Sequence, residues 1–156
     1  MSDEKEMIDR ELSKIRDLKI ENISLGHGSF LTLDFGEKIK IRKDSDLMRG
    51  EWHLWIYMCS WRIVKEGLIL TASNDSQESI YHKIQELAQL KLIDFEIVNE
   101  FLDVNLLFEK YITISLFNCS TEEDNEHWML FTPDYHVLTV GPANKTSYGL
   151  SENPKE

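Results

Sequence analysis

Apolar residues recur at two periods along this chain, and the change from one period to the other happens twice. Ile8, Leu12 and Ile15 follow an i, i+4, i+7 spacing, which puts them on one face of a helix. Ile80, Ile84 and Leu87 repeat that spacing. The pattern predicts helices over about residues 3–18 and 76–90. The second starts at "NDSQES", where Asp75 can cap and Glu78 follows three residues on. After each helix the period falls to two. Leu31, Leu33 and Phe35 alternate with Thr32 and Asp34, and Ile39 and Ile41 alternate with Lys40 and Arg42. A three-residue loop at 36–38 keeps the faces matched: Phe35 opposite Ile39, Leu33 opposite Ile41 and Asp34 opposite Lys40. In the second half the same logic sets Phe108 opposite Ile112 and Leu106 opposite Ile114 across 109–111. Further strands are predicted at about 52–58 and 61–71, the latter broken near Gly67, and at about 127–132 and 135–140, joined at "TPDY".

The two patterns superpose. Residues 8–25 slide onto 80–97 at an offset of 72, so that Ile8 meets Ile80, Leu12 meets Ile84, Ile15 meets Leu87 and Lys19 meets Lys91. After one inserted residue, Leu33 meets Leu106, Phe35 meets Phe108 and Trp55 meets Trp128. The expected fold is therefore α+β: two tandem αββββ repeats related by a pseudo-two-fold axis, with antiparallel sheets and one helix packed on each. Residues 1–142 form one compact domain in this reading, with repeats at about 3–72 and 75–142. Residues 143–156, which lack periodicity, are read as a flexible tail.

Three of the four tryptophans lie in "GEWHLWIYMCSWRI", residues 50–63. As a strand this stretch puts Trp52, Leu54, Ile56 and Met58 on one face and His53, Trp55, Tyr57 and Cys59 on the other. Both faces are apolar or aromatic, which predicts a strand covered on both sides. Trp55 and Trp128 are expected to be buried at equivalent positions. The other reading is a binding surface or aromatic pocket lined by Trp52, Trp55, Trp61 and Trp128, with His53 and His127 beside it.

Charge narrows the partners. Asp plus Glu number 28 against 17 Lys plus Arg, a net charge of −11. The basic residues are scattered, so no nucleic-acid partner is expected. The acidic residues collect in two loops, Asp44, Asp46 and Glu51 before one tryptophan-bearing strand and Glu122, Glu123, Asp124 and Glu126 before the other. These form a candidate acidic patch for a basic protein; a second copy of the chain is the other partner considered. No apolar run approaches the roughly 20 residues needed to span a bilayer. The charged N-terminus and the two cysteines, Cys59 and Cys119, suit a soluble cytoplasmic protein without a disulfide framework.

Catalytic signatures are missing from the sequence. "LGHGSF" (25–30) lacks the third glycine and the strand-then-helix setting of a dinucleotide loop. "STEEDNEHW" (120–128) matches neither a calcium loop nor a zinc motif, and His27, His53, His82, His127 and His136 form no metal-binding spacing. No catalytic residue, metal or cofactor is expected. The stretch "WHLWIYMCSWRI", with the later "WMLFTPDYHVLTVGP" (128–142), resembles a family of small uncharacterised bacterial proteins and, more loosely, immunity-type proteins that neutralise bacterial toxins. The resemblance covers about residues 20–142. It implies a non-enzymatic binding protein of the bacterial cytosol and carries over no catalytic position. The alternative is a small-ligand-binding protein or enzyme with an aromatic-lined pocket.

Overall fold

The structure, a computed structural model, describes residues 2–151. It is α+β, with two α-helices and eleven strands among those residues, the strands forming two antiparallel sheets. Helix α1 (Asp3–Leu12) precedes β1 (Ile20–Leu25), β2 (Leu31–Lys40), β3 (Met48–Ile56), β4 (Ser60–Lys65) and β5 (Leu68–Ala72). Helix α2 (Gln77–Lys83) precedes β6 (Leu92–Ile97), β7 (Val104–Phe108), β8 (Ile112–Phe117), β9 (Trp128–Phe131), β10 (His136–Val140) and β11 (Thr146–Leu150). No helix among the described residues is long and apolar enough to cross a membrane.

The helices stand at both places the 3.6-residue period marked but are shorter than the expected 3–18 and 76–90, each tightening into a 3-10 turn, Ser13–Ile15 and Ile84–Leu87, that carries Ile15, Ile84 and Leu87. Both are shorter than the roughly 12–15 residues an isolated helix needs, so packing must hold them. Ile8, Leu12, Ile15, Ile80, Ile84 and Leu87 are all fully buried, each contributing about 1.5–3 kcal/mol. Ser2 caps α1, accepting from the Lys5 backbone N–H, and Ser76 caps α2, accepting from that of Ser79. The expected cap, Asp75, instead accepts from the Thr71 hydroxyl and the Ala72 N–H, closing the turn before the helix.

The sheets are not one per half. The six-stranded sheet runs β1-β2-β3-β9-β10-β11 and the five-stranded sheet β5-β4-β8-β7-β6. Each takes three consecutive strands from one half and completes itself with strands from the other. Nor does a helix cover one sheet alone. Helix α1 packs on β10, β11 and β6, and α2 on β5 and β1, so each closes the gap between an edge of one sheet and an edge of the other. The inward faces of both sheets and both helices share a single core cluster.

The β7–β8 hairpin has the expected register, Leu106 opposite Ile114 and Phe108 opposite Ile112 across Glu109–Tyr111. The corresponding hairpin in the first half does not form. There β2 runs straight on through a bulge between Phe35 and Lys38, pairing with β3 along its length. Gly36 permits this: its φ of +80° is open to glycine, and a β-carbon there would run into the Glu51 carboxylate, which accepts from the Glu37 N–H at 2.8 Å. Asp34 therefore faces His53 rather than Lys40. The break near Gly67 is a two-residue turn, Glu66 and Gly67 both with positive φ, between β4 and β5. Strands β1 and β6 lie where no strand was expected. Strand β11 occupies residues 146–150, within the stretch read as a tail; residues 152–156 lie outside the described residues.

Candidate functional site

Three of the tryptophans belong to the core side, and one does not. Trp61, the second residue of β4, lies opposite Leu116, is 1% exposed, and donates its indole N–H to the Ser29 carbonyl at 2.8 Å. Trp128 opens β9 opposite Ile56 and is fully buried. Trp52 is half-buried and packs on the core cluster from β3. Trp55 points the other way, half-exposed on the outer face of the six-stranded sheet. It is thus neither a buried counterpart of Trp128 nor a wall of a pocket shared by all four.

That outer face is built by alternation. Cross-strand pairing lines up Asn22, Asp34, His53, Phe131 and Val137 in one row, and Ser24, Thr32, Trp55, Met129 and Thr139 in the next. Across the strands the surface passes from hydroxyl, amide and carboxylate groups, through His53 and Trp55, to apolar side chains. Tyr57 and Phe30 extend the aromatic part, with ring centroids 4.5 Å (Trp55–Tyr57) and 4.6 Å (Phe30–Tyr57) apart. Two grooves share Trp55 and Phe131. One, about 430 Å³, lies over β1, β2 and β3 and is walled by Met48 and by the loop before it, which carries Arg42 and Leu47. The other, about 390 Å³, has Met129, Phe131 and Val137 below and Asp124 and Glu126 on its rim.

Arg49 fixes the junction of the grooves. It is 6% exposed, and its guanidinium donates to the carbonyls of Gly50, Glu51 and Thr132, each at 2.8 Å. It also lies 5.9 Å from the Phe131 ring centroid and 5.7 Å from that of Tyr135, whose hydroxyl donates to the Lys40 carbonyl. The start of β3 is thereby tied to the turn between β9 and β10.

In the first groove the His53 Nδ1 and the Asp34 Oδ1 are 2.5 Å apart. Burial works to raise the Asp34 carboxyl, but the hydrogen bond and charge of His53, the Gly50 N–H and the Asn22 side chain outweigh it and hold Asp34 below its ordinary value. This pair leaves no motif in the chain, since 19 residues separate its members and only the β2–β3 register joins them.

His127 is not near His53. It lies at the opposite end of the β3–β9 pairing, 1% exposed, its Nε2 against the Ser120 backbone and its Nδ1 without a partner. Gly141 backs the ring so closely that any side chain there would overlap it. Burial pushes the imidazole below its ordinary value, against the opposing effects of the Ser120 backbone and the Asp103 charge.

The acidic residues divide by role. Glu51 belongs to the β2 bulge, and Asp44 lies 3.5 Å from Arg42. Asp46, Glu122, Glu123 and Asp124 are exposed, and Glu126 is half-buried. The two acidic loops flank opposite ends of the same sheet face.

Comparison of the chain with protein-family models, curated proteins and solved structures finds no match.

His127 and Asp34 each contribute a step to the acid response. His127 resists protonation in the fold more than in the unfolded chain, whose imidazole protonates below about 6.5, so unfolding free energy should fall as pH drops through that value. Asp34 is held ionised in the fold, so its contribution, complete above the ordinary carboxylate pKa, is lost as pH falls through its lowered one. Urea midpoints against pH should lose the first step in His127→Gln and have a shallower second step in Asp34→Asn. Unaltered profiles would detach these groups from the acid response.

Proposed function

We propose that this protein is a non-enzymatic binding protein, an immunity-like inhibitor of a basic protein partner, and that the outer face of the six-stranded sheet is its binding surface. One observation carries the reading: half-exposed Trp55 and Tyr57, beside Phe131, stand between two carboxylate-bearing loops. Aromatic anchors ringed by charge suit a protein interface, in which the aromatics supply affinity and the charges supply rate and selectivity. The outer face of the other sheet is different. Its central polar groups satisfy one another: the Ser115 hydroxyl donates to the Asn105 amide oxygen, the Asn105 amide donates to Glu96, and Arg62 lies over Phe117. Exposed Leu68, Ile69 and Tyr111 collect at one end of that sheet, away from both acidic loops.

A second reading has its own support. The Asp34–His53 pair faces a groove walled by Trp55, an arrangement suited to a small ligand with hydrogen-bonding groups. It predicts that Asp34→Asn removes function while the acidic loops are dispensable.

We also infer that the two halves are copies of one ancestral unit. Asp17 N–H donates to the Leu92 carbonyl at 2.7 Å, and Gln89 N–H to that of Ile20 at 2.8 Å. Ile20 N–H donates to Leu90, and Leu92 N–H to Leu18, both at 2.9 Å. These are reciprocal pairs at the offset of 72, on either side of the Lys19–Lys91 bridge. Asp17 and Gln89 share φ values of 71° and 70°, and matching bulges follow at Ile20/Asn22 and Leu92/Asp94. The strand runs β1-β2-β3-β9 and β6-β7-β8-β4 then correspond, and since Leu31 pairs with Ile56 and Val104 with Leu116, the counterpart of Trp128 opposite Ile56 is Trp61 opposite Leu116.

The test uses the intact protein and its Trp55→Ala variant as baits in the native cell extract, followed by kinetics with the retained protein. A basic partner retained by the first bait alone is expected, with association slowing roughly tenfold as salt shortens the Debye length from about 10 Å at 0.1 M. Replacing Glu122, Glu123 and Asp124 with Ser should slow association more than it speeds dissociation. An acidic partner, a flat salt dependence or retention by both baits would defeat the proposal.

A further inference from the structure

The second groove makes a more specific demand on the partner. Its floor is Met129 and Val137, its aromatic side is Trp55 and Tyr57, and its rim carries Asp124 and Glu126. Neither of those carboxylates has a hydrogen-bond or ion-pair partner among the described residues, whereas Glu51, Glu86, Asp94 and Glu109 all do. Their backbone is nonetheless placed. The Met58 N–H donates to the Glu126 carbonyl at 3.0 Å, and the Asn125 N–H donates to that of Glu122 at 3.2 Å, so the rim is tied to the end of β3 rather than swinging clear of it.

A group that fills this groove needs an apolar stem for the floor, a flat cation for the aromatic side and several N–H donors for the rim. Arginine has all three. Its guanidinium stacks on an indole or phenol face and offers N–H groups in a fork that matches carboxylates. Lysine has the stem and the charge but neither the flat face nor the fork. Resting on the reading of this sheet face as a surface for a basic protein, we propose that the groove between Trp55, Tyr57 and Val137 is a socket for one arginine side chain of that partner, with Asp124 and Glu126 as its counter-charges. The charge complementarity comes from the two rim carboxylates themselves, and the net charge of −11 adds a long-range pull in the same direction.

The test needs no identified partner. Uniformly labelled protein is titrated with acetyl-Gly-Arg-Gly-amide, with the lysine analogue, and with the citrulline analogue, which keeps the shape of arginine without its charge. The readout is the Trp55 indole N–H resonance. Saturable perturbation by the arginine peptide is expected, in the millimolar range for a single side chain and at least about tenfold tighter than for citrulline. The double substitution Asp124→Asn with Glu126→Gln should abolish that difference while leaving the remaining spectrum in place, since neither carboxylate supports the fold through a bond. The socket is overturned by no saturable shift up to about 50 mM, by lysine matching arginine, or by a difference that survives the double substitution. Failure here with capture still dependent on Trp55 removes the socket and keeps the sheet face as a partner surface. Arginine binding with capture indifferent to Trp55 does the reverse.

Discussion

Trp61→Ala is expected to lower the unfolding free energy by about 3–5 kcal/mol, and Trp128→Ala by a similar amount, while Trp55→Ala costs no more than about 1 kcal/mol. The ordering follows from where each side chain sits. Trp61 and Trp128 stand at the starts of β4 and β9, second and first in their strands, which cross between halves to complete each sheet, and both lie in the shared core. Emptying either site leaves a cavity lined by the sheets and helices together, which cannot collapse without moving an entire strand. Trp55 contacts Tyr57 and Phe30 on a half-exposed face, where water can replace what is removed. Phenylalanine separates the two core sites. Trp61→Phe strands the Ser29 carbonyl and should cost about 1 kcal/mol beyond its lost volume. Trp128 carries a buried indole N–H with no partner, so Trp128→Phe should be the milder change. Urea unfolding followed by circular dichroism measures all five variants on one scale. A Trp55→Ala cost equal to that of Trp61→Ala would place Trp55 in the core and withdraw it from the binding face.

Much of this arrangement could be read from spacing, and the failures have identifiable causes. The helix faces were legible because Ile8, Leu12 and Ile80 in the α-helices, with Ile15, Ile84 and Leu87 in the 3-10 turns that continue them, keep a helical spacing and are all buried. The β7–β8 hairpin was legible because only one loop length keeps Leu106 and Phe108 on the face of Ile114 and Ile112. The same argument failed at Gly36, because a glycine that permits a turn also permits a bulge, and the Glu51 carboxylate that stabilises the bulge lies 14 residues further on. Strands β1 and β6 were hidden by their own bulges, which break the period of two after Ile20 and Leu92. The composite sheets could not be foreseen, since the three residues 57–59 between β3 and β4 read like a hairpin loop while carrying the chain from one sheet to the other. Matching Trp55 to Trp128 followed residue identity, whereas the fold buries Trp128 opposite Ile56 and leaves Trp55 on the outer face of the sheet. At the candidate site, the apolar character of both faces of β3 was visible, but Asp34 and Arg49 were not. Their roles arise from cross-strand register and from carbonyl groups, which leave no motif.

Arg49→Leu is expected to cost about 2–4 kcal/mol and to disturb both grooves at once. The leucine keeps the packing against Phe131 and Tyr135 but leaves the carbonyls of Gly50, Glu51 and Thr132 without the donor that satisfies them. Two of these groups lie near the start of β3 and the third directly follows β9, so their loss loosens the register that sets His53 against Phe131. Gly50 cannot adjust by moving inward, because even a β-carbon there would press on Asp34. Arg49→Lys should recover less than half of the loss. One ammonium can reach a single carbonyl or two on one side, but it has no planar fork to span the strand start and the turn together. The measurement is urea unfolding of the three proteins, with the chemical shifts of Trp55 and Phe131 reporting the face. Lysine restoring full stability would mean that charge alone holds this corner. The stability loss in leucine together with unchanged Trp55 and Phe131 resonances would mean that Arg49 braces the fold without setting the binding surface. The geometry predicts neither, because the three carbonyls that Arg49 gathers lie in β3 and in the turn directly after β9, the two strands that carry Trp55 and Phe131.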